Sequence, residues 1–141
     1  MGFTLDHRLA DSAFFIEDWA LCRVMLKNDA SLPWLYLIPR RAGVREIFDL
    51  SSADQAQLAH DIALAGRAID HLFTPDKINT AALGNMVPQL HIHVFGRFTH
   101  DPAWPKPVWA VQQDEIPYTE TGKNDTLAAL KECFARLRNE E

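Results

Sequence analysis

Apolar and polar residues alternate in short runs along the N-terminal part of the chain, then settle into a helical period, then alternate again. Ala13 to Ile16 and Leu21 to Lys27 are apolar runs rich in aromatic and branched residues, separated by the polar pair Glu17-Asp18. They predict two antiparallel strands. Asn28-Asp29-Ala30-Ser31 has the composition of a turn. Trp34 to Ile38 predicts a third strand, stopped by Pro39, with Pro33 tolerable only at its start. Leu5 to Leu9 predicts a short N-terminal turn. Ser51 and Ser52, each followed three residues later by Asp54 and Gln55, offer helix N-caps with reciprocal partners. Beyond them Leu58, Ile62, Ala65, Ile69 and Leu72 recur at intervals of four, three, four and three. That spacing predicts an amphipathic helix of about five turns, ended before Thr74-Pro75.

The second half follows the same logic. Lys77 to Leu83 predicts a strand, Gly84 to Pro88 a tight connection, and Gln89 to Arg97 another strand. The stretch from Thr99 to Tyr118 carries Pro102, Pro105, Pro107 and Pro117 with Trp104 and Trp109, the composition of an irregular but packed loop. Asn124 is a candidate cap for a final helix with Leu127, Leu130, Phe134 and Leu137 on one face. No repeat, low-complexity tract or linker interrupts the pattern. The expectation is one α+β domain over residues 1–141: an antiparallel sheet of about five strands, one long helix and a C-terminal helix.

Composition narrows the chemistry. A chain of 141 residues with 48% apolar content suffices for one ordinary core. The net charge of −5 argues against a general nucleic-acid binder. It leaves room for an anionic small ligand held by a few local donors. No stretch approaches a membrane span, and Met1 to Asp6 lacks the pattern of a signal peptide. Cys22 and Cys133 show no metal or disulfide clustering, so both are expected to be reduced and structural in a cytoplasmic protein.

The run Gln89-Leu90-His91-Ile92-His93-Val94-Phe95 carries the candidate chemistry. As a strand it sends Leu90, Ile92 and Val94 to the core and Gln89, His91 and His93 to the other face. Three readings follow. Both imidazoles can be structural, bonded to backbone or water. They can chelate a metal, but a third ligand would have to come from His100 or Asp101, neither on that strand face. Or one imidazole can attack phosphorus and form a phosphoramidate, with the flanking groups and the N–H groups of the Gly84 to Pro88 turn holding the oxygens.

This run resembles the motif of the histidine-triad (HIT) family, His-x-His-x-His with apolar residues between. The resemblance extends over most of the chain: the strand-turn-strand with Asn28, the strand end Leu37-Ile38-Pro39-Arg40, the helix entry Phe48-Asp49-Leu50-Ser51, and Asn79 before the motif. It implies a nucleotide-binding α+β domain, usually a homodimer, that hydrolyses or transfers nucleoside monophosphates through a nucleotidyl-histidine. His91 falls on the nucleophile and His93 on the last triad position. The implied substrate is a phosphoramidate or dinucleoside polyphosphate of a purine nucleoside or a related molecule. No cofactor is required, and a divalent cation enters only with the substrate phosphates. Gln89 stands where the family has its first histidine, a variant of bacterial type. Glutamine can donate a hydrogen bond but cannot titrate near neutrality. A transferase branch also carries glutamine in the triad, but at the last place. The competing reading is a nucleotide-binding module with little turnover.

Among other residues, Asn28 resembles the family's ribose-binding position, and Asn79 and Asn85 its approach to the phosphates; a turn asparagine is the plain alternative for Asn28 and Asn85. Met86 stands where the family often has a hydroxyl residue. Arg40, Arg41 and Arg45 read more simply as a solvated basic loop than as a phosphate site. Trp104 and Trp109 are candidates for base stacking or a subunit contact. His60 and His71 fall off the apolar stripe of the long helix and read as surface residues.

Overall fold

The computed structural model describes residues 2–141. The elements run α1 (His7–Asp11), β1 (Ala13–Asp18), β2 (Cys22–Lys27), β3 (Trp34–Pro39), α2 (Ser52–Phe73), β4 (Lys77–Ala81), β5 (Ile92–Arg97) and α3 (Glu120–Asn139), with 3₁₀ turns at Ile47–Asp49 and Val108–Ala110. The strands form one five-stranded sheet in the order β1-β2-β3-β5-β4, and every pairing is antiparallel. This is the expected α+β architecture.

Alternation divides the sheet into two faces. Val24, Leu26, Leu35, Leu37, Ile92 and Val94 pack against Leu58, Ala65 and Ile69 of α2 and Leu130, Phe134 and Leu137 of α3. Met25, Trp34, Tyr36, Ile38 and Phe95 look the other way and meet Leu9 and Val108, with Phe3 and Leu5 against them. That second face also carries the histidines. It is covered by the N-terminal segment and the loop after β5 rather than by a long helix.

The boundaries follow hydrogen bonding. Ser51 caps α2, its hydroxyl accepting from the Asp54 N–H, and Thr74 ends the helix in the left-handed region at φ 45°. The Asp54 carboxylate does not close the reciprocal cap. It takes a fork from Arg41 at 2.7 and 3.0 Å instead. The last helix begins earlier than the sequence pattern predicts: Thr119 caps it by accepting from the Gly122 N–H, and Asn124 lies inside its first turns. β4 ends at Ala81, short of Leu83, and the strand predicted from Gln89 begins only at Ile92. Its neighbour β3 pairs no further than Leu37 with Ile92, and the Leu90 N–H turns aside to the Val44 carbonyl. Gln89 therefore stands outside the ladder.

Gly96 is required on β5. A Cβ there would lie 2.9 Å from the Pro75 ring, closer than Cβ atoms come to a neighbour, and a tight 3.0 Å from Pro33. Both cysteines are free and buried, and burial together with Asp61 pushes the Cys22 thiol up.

Candidate active site

His91 and His93 are 7% and 8% exposed, and their ring centroids lie 5.1 Å apart. His91 Nδ1 lies 2.7 Å from the Gln89 main-chain oxygen. A carbonyl only accepts, so Nδ1 carries a proton, and it is Nε2 that holds the lone pair of the neutral ring. His93 is arranged the opposite way. The Trp34 indole N–H donates to His93 Nδ1 at 3.0 Å, and an indole nitrogen only donates. His93 therefore carries its proton on Nε2. Burial, then the neighbouring His91 and Lys27, pull His93 down to a pKa of about 3, so the ring stays neutral. The pair presents one nucleophilic nitrogen and one fixed N–H donor.

Aromatic rings set this arrangement. Tyr36, directly across from His93 in the β3–β5 register, packs edge-on against both histidines at 6.0 and 5.3 Å. Trp34 stacks on Phe95 at 4.2 Å. Trp109, from the loop after β5, stands edge-on to His93 at 5.2 Å and remains half exposed. Trp34 and Tyr36 escaped the sequence reading, although both follow from it: residues two apart on β3 share the face that antiparallel pairing lays beside His93.

Two clefts open at the site. One of about 290 Å³ reaches His91 between Arg45–Phe48 and Ala82–Gly84. The other, of about 390 Å³, lies between the β2–β3 turn and the loop after β5, with Lys27, Asp29, Trp34 and Trp109 on its walls. Gly84 adopts φ 75°, which shapes the turn leading to the histidines.

The expected contact residues are placed unevenly. The Asn28 carboxamide oxygen accepts from the Tyr118 N–H at 2.9 Å, so it braces the loop rather than the cleft. The residue that lines the cleft is its neighbour Asp29, whose Oδ1 accepts from Ser31 and from the Ile116 N–H. Asn79 lies on β4 across from Phe95 and accepts from Arg97 at 3.2 Å. Asn85 is exposed in the turn. Gln89 uses its carboxamide on the N-terminal segment: Oε1 accepts from the Asp6 N–H at 2.8 Å and Nε2 donates to the Thr4 carbonyl at 2.9 Å. Asp101, considered above as a third metal ligand, instead gives both oxygens to Arg97. Arg40 binds the Trp19 and Ala20 carbonyls and Arg41 binds Asp54, so neither faces the histidines.

A family model described as the HIT domain matches residues 8–100. The chain belongs to the histidine-triad family. Solved structures agree. A HIT-family protein of Marinobacter aquaeolei is 42% identical, with a TM-score of 0.91 over 97% of this chain and 99% of its own. One from Bradyrhizobium japonicum is 41% identical, with a TM-score of 0.90 over 95% and 99% of the two chains. A third, from Sinorhizobium meliloti, is 40% identical at a TM-score of 0.88, covering 92% and 96%. No match was found among curated proteins. No helix among the described residues is long and apolar enough to cross a membrane.

Proposed function

We propose that this HIT protein is a nucleotide hydrolase or nucleotidyl transferase working through a covalent nucleotidyl-histidine on His91. The observation that carries the reading is the hydrogen bond from His91 Nδ1 to the Gln89 carbonyl, which leaves the Nε2 lone pair available. Nε2 attacks the α-phosphorus of a nucleoside phosphoramidate or dinucleoside polyphosphate, forming a P–N bond as the bond to the leaving phosphate, or to the leaving amine protonated by solvent, breaks with its electron pair. Water, or an acceptor in transfer, then attacks phosphorus and gives up a proton to solvent as the pair returns to Nε2. The Nε2–H of His93 suits a hydrogen bond to a phosphate oxygen. With its pKa near 3 and Nδ1 occupied by Trp34, His93 exchanges no proton near neutrality.

The phosphates are assigned to the cleft at His91, where the turn with Gly84 and Asn85 offers N–H and carboxamide donors. The purine nucleoside is assigned to the wider cleft, with Asp29 taking the sugar contact expected of Asn28 and the Trp109 ring available for stacking. Asn79 is assigned to the phosphates with its free amide. A homodimer fits the edge strand β4, beyond which no strand lies among the described residues. A cytoplasmic setting fits the two free thiols. The reading needs no resident cofactor.

The test is intact mass after brief mixing with an adenylated phosphoramidate at mildly acid pH. A transient gain of one nucleoside monophosphate, absent in His91→Ala, is expected. An unchanged mass with saturable binding would instead identify a nucleotide-binding module.

A further inference from the structure

We propose that Gln89 is a positioning residue: its carboxamide straps the N-terminal segment across the start of the histidine run and so holds the carbonyl that sets the His91 tautomer. The proposal rests on the reading of His91 as a phosphorus nucleophile.

The Gln89 carboxamide bridges two main-chain groups on either side of Leu5, accepting from the Asp6 N–H and donating to the Thr4 carbonyl. An amide and a carbonyl separated by one residue are also what a neighbouring antiparallel strand would take up. A carboxamide supplies the matching acceptor and donor side by side on one edge. An imidazole cannot, because its two nitrogens point to opposite sides of the ring. The residue that departs from the family's histidine is thus the one whose chemistry the strap requires.

The strap continues beyond this bridge. The Asp6 carboxylate caps α1 and grips Arg8 by a fork at 3.1 and 2.9 Å. Arg8 then donates to the Met86 carbonyl at 2.9 Å. A closed circuit, Gln89 to Asp6 to Arg8 to Met86, therefore ties the turn before the histidines to the segment that crosses it. Phe3, Leu5 and Leu9 of that segment pack in the cluster that contains Tyr36, whose ring touches both histidines. The main-chain oxygen of Gln89 is the acceptor for His91 Nδ1. Fastening the side chain of residue 89 limits rotation of its backbone, and so fixes the hydrogen bond that keeps the His91 lone pair on Nε2.

The test compares Gln89→Met, which keeps the side-chain length and loses both bonds, with Gln89→Glu and Arg8→Ala. Three readouts are needed: kcat and KM across pH 5 to 9, about two units around the usual imidazole value; ¹⁵N imidazole shifts of His91; and hydrogen exchange of the Asp6 amide. Gln89→Met is expected to lower kcat about 10- to 100-fold with little change in KM, the cost of a misplaced reacting group. It should leave the shape of the pH profile unaltered, speed Asp6 exchange and mix the His91 tautomers. Arg8→Ala should act in the same direction, and the double variant should be no worse than the worse single, because both break one circuit. Parent-like kinetics and tautomer in Gln89→Met would overturn the proposal. So would a silent Arg8→Ala beside a Gln89→Glu far worse than Gln89→Met, the pattern of direct donation to phosphate. Exchange and tautomer are read without turnover. A parent that forms no adduct therefore sinks the enzymatic reading alone, while those two measurements still decide the strap.

Discussion

His91 and His93 share a side chain but hold opposite tautomers, one imposed by a backbone carbonyl and the other by an indole. Replacing His91 with alanine should abolish turnover by several powers of ten while nucleotide binding and the urea unfolding midpoint stay near the parent's. Near-normal rates in the folded variant would remove the covalent mechanism. His93 has a different signature. Its folded pKa of about 3 lies below the ordinary imidazole value of 6.5, so below pH 6.5 the unfolded chain takes up a proton that the folded one refuses. Stability is full above that pH and falls as the medium is acidified toward pH 3. The loss approaches about 1.4 kcal/mol per pH unit, reaching about 3 kcal/mol by pH 4. Urea titrations at pH 7 and pH 4 should show this loss in the parent and a much smaller one in His93→Asn. Equal losses would mean that His93 is not held neutral by burial. Both histidines were legible in the sequence. Their protonation was not, because Trp34 reaches His93 across 59 residues and only pairing registers reveal it. Asn28 shows the same limit: Asp29, one residue on, lines the cleft, and which of two adjacent side chains faces the cleft depends on how the chain leaves β2.

Elements were legible where one periodic face meets one partner. The stripe from Leu58 to Leu72 located α2, and the unbroken apolar run from Trp34 to Ile38, stopped by Pro39 and buried on both faces, located β3. Ends were harder to read, since competing caps decide them. Asn124 looked like the start of the last helix because asparagine suits an N-cap and the apolar stripe from Leu127 follows it. In the fold Gly122 sits in the first turn and donates to Thr119 Oγ1 at 3.0 Å. Thr119→Ala should therefore destabilise the protein by about 1 kcal/mol, while Asn124→Ala should cost nothing or stabilise slightly. Urea midpoints of the two variants check this, and a larger loss in Asn124→Ala would restore the later start. The strand predicted from Gln89 failed at its beginning for a related reason. Alternation continues through Gln89 and Leu90, but the β3–β5 pairing stops at Leu37 with Ile92, and the Leu90 N–H goes to Val44.

On the scale of the whole molecule the sheet is enclosed asymmetrically: two long helices on one face, and on the other a short strap and an irregular loop. Periodicity announces the first cover and is silent about the second, whose order comes from charge and side-chain caps. Arg97 and Asp101 fasten that loop. They form a fork at 2.8 and 3.0 Å, 2% and 6% exposed, and Asp101 also accepts from the main-chain N–H groups of Phe98, Ala103 and Trp104. The Arg97 fork and these amides hold the Asp101 carboxyl at a pKa of about 2, so the contribution is present above the usual carboxylate range and lost as pH falls through 2. Asp101→Asn keeps the shape and leaves Arg97 charged, buried and unpaired. Such a break costs about 3–5 kcal/mol, mainly through the uncompensated charge rather than the lost attraction. The loop carrying Trp109 should loosen with it, raising exposure of that indole and shifting its fluorescence to the red. Adding Arg97→Met to Asp101→Asn removes the stranded charge and should recover part of the lost stability. If the double variant is less stable than Asp101→Asn alone, the charge is not what the fork protects, and the loop is held chiefly by the Asp101 main-chain caps.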